Sequence, residues 1–319
     1  MQFILIIVIL LILGILYLAF ENKNLAISNY ILEQDSVPNA FDGLKMVCIS
    51  DLHNNLFGTG NERLIKKIKE LSPDLILISG DMITASEPHK NHIAMELLER
   101  LAKDYPVYFS PGNHECKWQM WEEDKNHIEP QKTAGKSFSK GLYEKKKENS
   151  AYSFEDFLEK LKEMGVIYLD NMSIDLYKEG DSIRITGLNL PLSYFKKGGR
   201  PIPLSEKDLT AFAGHANSKG YQILLAHMPC YFKEYASWGA DFILSGHVHG
   251  GVMRLPYFGG VISPQYEIFP AYDAGLFKEG DSIMLLSRGL GTHTIPVRVF
   301  NRPELICVEL RRKSGTRQE

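Results

Sequence analysis

The sequence predicts an α/β fold. Three observations predict it: short apolar runs that each end in a polar, glycine-bearing loop, amphipathic helical patterns between those runs, and enough apolar residues for a sizeable core. Of 319 residues, 44% are hydrophobic and 24% are charged, which excludes global disorder. Lys plus Arg number 36 and Asp plus Glu 39, a net charge of −3, so no broad cationic surface exists to coat nucleic acid. Cys48, Cys116, Cys230 and Cys307 lie far apart with no CxxC pair. That excludes a disulfide scaffold and a thiolate zinc site. No short-period repeat is present.

The chain opens on MQFILIIVILLILGILYLAF, residues 1–20, with Gln2 its single strongly polar side chain and no charge before Glu21. Twenty helical residues rise about 30 Å, the thickness of bilayer hydrocarbon. A cleaved signal peptide is the competing reading. The run is long for such a segment, and no small-x-small pair closes it, so an uncleaved transmembrane anchor is preferred. Few Lys or Arg follow the span, which leans towards a body outside the cytoplasm. Residues 21–43 read as a polar linker out of the membrane with some strand-like alternation.

Buried strands are expected at LKMVCIS before Asp51, DLILIS before Gly80, VYFS before Pro111, IRITGLN from Ile183, YQILLA before His227, DFILS before Gly246 and SIMLLS before Arg288. Helices are expected at NERLIKKIKEL, with Leu64, Ile65, Ile68 and Leu71 on one face, and at NHIAMELLERLAK, with Ile93, Leu97, Leu98 and Leu101 on one face. A third, SFEDFLEKLKEMG, starts at a Ser153 cap, carries Glu155 and Asp156 in its first turn and stops at Gly165. Residues 116–150 interrupt this rhythm. They are heavily charged, with a Lys145–Lys147 cluster, and read equally as a solvated loop or loose helical insertion and as a lid carrying Trp118 and Trp121.

Metal-ligand side chains gather at the strand-to-loop junctions: Asp51 and His53, Asp81 after Gly80, Asn113-His114-Glu115 after Gly112, His227, and His247 and His249 after Gly246. All are oxygen or nitrogen donors, suited to Mn, Fe, Zn, Ni or Co. Loops beyond the carboxyl ends of parallel strands converge on one crevice, so residues far apart in the chain would meet. The i, i+2 pairs Asp51/His53 and His247/His249 suit extended backbone, where alternate side chains share a face. Any one of these motifs is weak. Five in order at strand ends form a specific constellation. Other polar groups carry less. His89, His92, His127 and His215 read as surface residues, and His293 as a loop residue that could touch substrate. Asn189, Arg254 and Arg288 could bind a phosphate oxygen, though Arg is as often an ion-pair partner. Cys48 reads as a buried small hydrophobe and Cys116 as a thiol near the site.

DLH, GD, GNHE, a strand ending in His and GHxH, in that order, resemble the calcineurin-like metallophosphoesterases over roughly residues 44–300. The tail SRGLGTHTIPVRVFNRPELICVEL resembles the membrane-associated bacterial branch. The resemblance implies a sandwich of two mixed β-sheets flanked by helices, here preceded by the transmembrane helix, with a domain over 44–312 and a tail over 313–319. It implies two divalent metal ions, one held by Asp51, His53 and His249, the other by Asn113, His227 and His247, with Asp81 bridging both. It makes His114 a non-ligand histidine that donates a proton or stabilises charge. The implied activity is hydrolysis of a phosphomonoester, phosphodiester or pyrophosphate, and the anchor suggests a lipid-linked or envelope-precursor phosphate as well as a small phosphorylated molecule. The rivals are a catalytically silent scaffold, against which the complete ligand set argues, and a nuclease, against which the charge balance argues.

Overall fold

The computed structural model describes residues 2–126, 152–195, 201–216, 220–263, 267–292 and 297–313. His127, the Lys145–Lys147 cluster, His293 and the tail beyond 313 lie outside the described residues, as does most of the 116–150 stretch.

Helix α1 (Gln2–Lys23) leads into β1 (Ala26–Gln34) and β2 (Lys45–Ile49). Then follow α2 (Glu62–Leu71), β3 (Leu75–Ile78), α3 (His92–Ala102), β4 (Val107–Phe109) and α4 (Asn113–Asn126). After 151 come α5 (Phe154–Glu163), β5 (Ile167–Tyr168), β6 (Met172–Lys178) and β7 (Asp181–Leu188). The remainder is α6 (Glu206–Ala213), β8 (Tyr221–Ala226), α7 (Phe232–Trp238), β9 (Phe242–Ser245), the short pair β10 (Arg254–Leu255) and β11 (Gly259–Gly260), then β12 (Gly275–Glu279), β13 (Ser282–Leu286) and β14 (Glu304–Arg312).

Two six-stranded mixed sheets result, in the orders β1-β14-β2-β3-β4-β5 and β12-β13-β9-β8-β7-β6. In the first, β2, β3, β4 and β5 run parallel; in the second, β7, β8, β9 and β13 do. The sheets pack face to face. Met46, Cys48, Leu75, Leu77, Ile306 and Val308 of one meet Ile183, Ile185, Ile223, Leu225, Phe242 and Leu244 of the other. The alternate residues Val47, Ile49, Ile76 and Ile78 point outward onto α2, α3 and α5. Leu224 and Ile243 likewise pack under α6 and α7. Strands covered on both faces read as continuous apolar runs, which is why the seven short runs are strands.

The helix termini follow from local chemistry. The Ser153 hydroxyl accepts the Asp156 N–H at 3.0 Å, and the Asp156 carboxylate accepts the Ser153 N–H at 3.0 Å, a reciprocal capping box. Two stretches differ from expectation. Within the 21–43 linker, residues 26–34 are strand β1, paired in parallel with β14 along nine residues, and Leu32 and Val37 are buried. Its alternation was a half-buried strand at a sheet edge, and its partner lies at the far end of the chain. Residues 116–126, expected as the start of a solvated loop, a loose helical insertion or a lid, are helical as part of α4 but are not loose. Trp118 is in the core, its ring 5.3 Å from both Phe154 and Phe157.

Candidate metal centre

Parallel strands of both sheets end at one rim. Ser50 and Asp51 follow β2, Gly80 and Asp81 follow β3, and Asn113 opens α4 beyond β4. From the other sheet, His227 follows β8, and His247 and His249 follow β9. Every one of these side chains is buried except that of His247, which is half-buried.

The backbone here is not the extended chain expected for the i, i+2 pairs. Asp51, His53, Asp81, His247 and His249 all have positive φ, between 47° and 72°. The chain turns sharply just past each strand, so paired side chains converge by a left-handed turn rather than by alternation along a strand. Each such residue costs about 1–3 kcal/mol and persists where its surroundings over-determine it. Glycine clears the space. A Cβ on Gly246 would strike the Ser50 hydroxyl and the Asp51 carboxylate, and one on Gly289 would lie 2.7 Å from Asp51 Cβ.

Hydrogen bonds fix each carboxylate. Asp51 Oδ2 accepts the Ser50 hydroxyl at 2.6 Å, and the carboxylate also accepts the His247 N–H at 3.1 Å. Its Oδ1 then lies 3.3 Å from His249 Nε2 and 3.8 Å from both His53 Nε2 and His227 Nε2. Asp81 Oδ1 accepts the His114 N–H at 2.8 Å, which leaves Oδ2 facing His227 Nε2 at 3.1 Å and His53 Nε2 at 3.7 Å. The imidazoles are oriented from behind. His227 Nδ1 meets the Ser79 carbonyl at 2.7 Å, His249 Nδ1 the Gly291 carbonyl at 3.2 Å, and His53 Nδ1 the Thr84 hydroxyl at 3.4 Å. With Nδ1 so engaged, Nε2 of each ring turns inward. His53 Nε2 and His249 Nε2 come within 3.2 Å of each other, two nitrogens aimed at one point beside a carboxylate.

The donors form two adjoining groups able to hold a metal ion, Asp51/His53/His249 and Asp81/His227/His247, and His114 lies with His53 and Asp81 in a third. Buried Asn113 Oδ1 accepts no hydrogen bond among the described residues. A desolvated acceptor left open is costly unless something meets it, as a cation would. The donor chemistry, all oxygen and nitrogen, fits a borderline or hard divalent metal.

The electrostatics agree. Burial raises the cost of ionising Asp81, yet His227, His114 and His53 hold it well below the ordinary carboxylate value. Burial pulls His227 down, but Asp81, Asp51 and the Ser79 carbonyl together push it up to about 9. Burial lowers both His247 and His249, keeping those imidazoles neutral. Glu115 is buried and accepts the backbone N–H groups of Asp81, Met82 and Gly112 at 2.9 Å and of Ile83 at 3.2 Å. Burial and the Asp81 charge push Glu115 up to about 7 against those four donors. Glu115 thus ties the loop after β3 to the loop after β4.

The structure brings together Asp51, His53, Asp81, His114, His227, His247 and His249, and buries Asn113 next to His114 at the start of α4. It takes others out of play. Asn189 is bound to the Cys116 thiol and to Asp170, each at 2.8 Å. Arg254 pairs with Asp273 and Arg288 with Glu304. Burial pushes the Cys116 thiol up, so it is not a ready thiolate. Cys48 is buried as expected, His89 and His215 are exposed, and His92 is half-buried. Sequence reasoning missed Arg298. It is buried and donates to the carbonyls of Arg288, Gly289, Gly291 and Asn301, bracing the loop that carries the His249 acceptor. No local signal marks it, because a lone Arg after a proline in a glycine-rich tail looks like any surface cation.

A family model described as calcineurin-like phosphoesterase matches residues 44–251. The metallophosphoesterase YkuE of Bacillus subtilis is 23% identical over 287 residues, spanning 89% of this chain and 85% of YkuE. The phosphodiesterase YaeI of Escherichia coli is 24% identical, over 83% of this chain and 82% of YaeI. The UDP-2,3-diacylglucosamine pyrophosphatase LpxG of Chlamydia muridarum is 25% identical, over 83% of each chain.

Proposed function

Because the chain belongs to the calcineurin-like phosphoesterase family and is a metal-dependent phosphoester hydrolase, we propose that it works as a membrane-anchored, dinuclear enzyme cleaving a phosphoester or pyrophosphate bond of a lipid-linked or envelope-related substrate. The carrying observation is the pair of adjoining donor groups that meet where Asp81 Oδ2 faces both His227 and His53. On this reading Asp51, His53 and His249 would hold one ion, Asn113, His227 and His247 the other, and Asp81, whose Oδ2 faces both His53 and His227, would be shared between them. The ions, when bound, lower the pKa of a water and offset charge on the phosphoryl oxygens.

The chain's own residues do the rest. Ser50 and the His247 N–H hold Asp51 in a single orientation, and Glu115 does the same for the Asp81 loop. His114 Nδ1 accepts the Ala85 N–H at 3.0 Å, so its proton sits on Nε2, the nitrogen that on this reading donates to a phosphoryl or leaving-group oxygen. Burial of the carboxylates keeps competing water away from these charges. Helix α1 supplies the anchor: Phe3–Lys23 has the length and hydropathy to cross a bilayer, and anchoring raises the effective concentration of a bilayer substrate. Relatives named as a phosphodiesterase and as a pyrophosphatase acting on a diacylated sugar nucleotide support the substrate class.

The full chain in detergent, loaded with Mn²⁺, is expected to hydrolyse bis-p-nitrophenyl phosphate and to carry two metal equivalents by elemental analysis. A folded sample with no turnover under any divalent ion sinks the enzyme assignment. One equivalent sinks the dinuclear one, and preference for single-stranded DNA over small diesters redirects the substrate class.

A further inference from the structure

Large apolar side chains lie exposed at one edge of the metal-centre rim. Tyr257 is 105% exposed, Phe258 73%, Ile268 68%, Phe300 63% and Phe269 54%. They belong to one small structure. The β10–β11 hairpin carries Tyr257 and Phe258 at its turn. Val299 bridges to Met253 on one side, and the Phe269 N–H bonds the Val261 carbonyl at 2.9 Å on the other. This structure continues directly from His249 through Gly250, whose carbonyl accepts Arg254 Nη1 at 3.1 Å.

Helix α1 meets the same edge. The Phe300 N–H donates to the Tyr17 hydroxyl at 3.2 Å, and the two rings lie 5.8 Å apart. At the helix end, Lys23 Nζ donates to Asn55 Oδ1 at 2.8 Å and to the Leu56 carbonyl at 3.1 Å, in the loop following His53. The helix therefore leaves the body beside the metal centre, while Phe3 to Leu16 stay exposed. Tyr17 precedes Lys23 by six residues, about 9 Å along the axis. Phe300 touches the helix at that depth, inside the apolar stretch.

We propose that the aromatic edge formed by Tyr257, Phe258, Phe269 and Phe300 rests in the interfacial layer of the bilayer that α1 crosses, setting the metal centre at headgroup level. The inference rests on the anchor reading above and deepens it: the bond presented to Asp51, Asp81 and His114 is a phosphate bond at a lipid headgroup, not one on a molecule free in solution. Aromatic side chains with an apolar ring favour that layer, and among the described residues Tyr257, Phe258, Phe269 and Phe300 all stay more than half exposed, Phe300 even with Tyr17 beside it.

The test uses the full chain in vesicles of phosphatidylcholine and phosphatidylglycerol, with one added Trp per variant and quenching by brominated lipid read against the parent. Tyr257→Trp and Phe269→Trp are each expected to lose roughly half of the added emission, as interfacial aromatics do. Tyr177→Trp is expected to lose none. Tyr177 is 77% exposed and pairs with Ser182 at the start of β7, the end of the sheet opposite the metal centre. Leu11→Trp reports the anchor. If Leu11→Trp is quenched while positions 257 and 269 respond only to aqueous iodide, the edge lies in water and the docking is overturned. If those positions respond to neither quencher, a second protein copy covers them and the docking is again overturned. An unquenched Leu11→Trp overturns the anchor and the docking together. The hydrolase reading fails separately, by loss of diester turnover, on which none of these emissions depends.

Discussion

Gly246→Ala isolates the geometry of the centre from backbone strain. Gly246 is not among the positive-φ residues, so an alanine is conformationally acceptable there. The difficulty is the added methyl, which would strike the Ser50 hydroxyl and Asp51 Oδ2 and lie 3.1 Å from Ser50 Cβ. Ser50 cannot swing aside without giving up its 2.6 Å bond to Asp51, and both residues are fully buried. Restoring ordinary contact requires the Asp51 carboxylate to retreat by about 1 Å. Overpacking of this kind costs about 1–3 kcal/mol of stability, and a 1 Å displacement of a positioning group costs on the order of 100-fold in turnover. Gly180→Ala is the control: its Cβ meets nothing within 4 Å, but φ is +89°. That substitution is expected to cost about 1 kcal/mol and leave the centre intact. Urea unfolding, metal content and bis-p-nitrophenyl phosphate turnover are measured on both variants. Parental metal content and turnover in Gly246→Ala refute the reasoning, because Asp51 would then not need to sit where it does.

Asp81→Asn is expected to reduce metal content and turnover together, by at least about 100-fold, since an amide cannot bridge two cations; His114→Gln is expected to lower turnover by about 100-fold or more with metal content unchanged. Full activity in either variant contradicts its assigned part. His227 is held at about 9 in the metal-free chain, against an ordinary value of about 6.5. Its contribution to metal-free stability is therefore complete below about pH 6.5 and is lost as pH rises through about 9. A cation must displace that proton, so binding near pH 7.5 is expected to release protons, and affinity is expected to rise up to about tenfold per pH unit towards pH 9. Calorimetry in two buffers of different protonation enthalpy detects the release, and equal heats in both count against it. Trp118→Ala is expected to cost about 3–5 kcal/mol in urea unfolding with diester turnover retained in the folded fraction. A change in turnover without loss of stability would restore a lid role for α4.

The strands and the donor residues were legible because each announces itself locally. An Ile/Leu/Val run covered on two faces is unbroken in sequence, and Asp51, Asp81, His227 and His247 each follow such a run. The turn that makes them converge was not legible. Period-two spacing suggested extended backbone at Asp51/His53, and only the steric surroundings force the left-handed conformation there. Long-range partnerships were hidden for the same reason. Arg298 serves His249 through the Gly291 carbonyl, and Glu115 serves Asp81 through backbone amides, so neither relation leaves a spacing to read. The charged residues of α4 masked the single face on which Trp118 packs.

The pairing of β1 with β14 has a consequence for how the chain is made. The first strand emerges immediately behind the apolar helix, yet the segment that hydrogen-bonds it along nine residues comes only at Glu304–Arg312. Until that segment is made, β1 presents an open row of amides and carbonyls, and β2 lacks its antiparallel neighbour. β1 and β14 thus act as a clasp across the sequence, and a chain cut short of Glu304 has a first sheet with no closing strand.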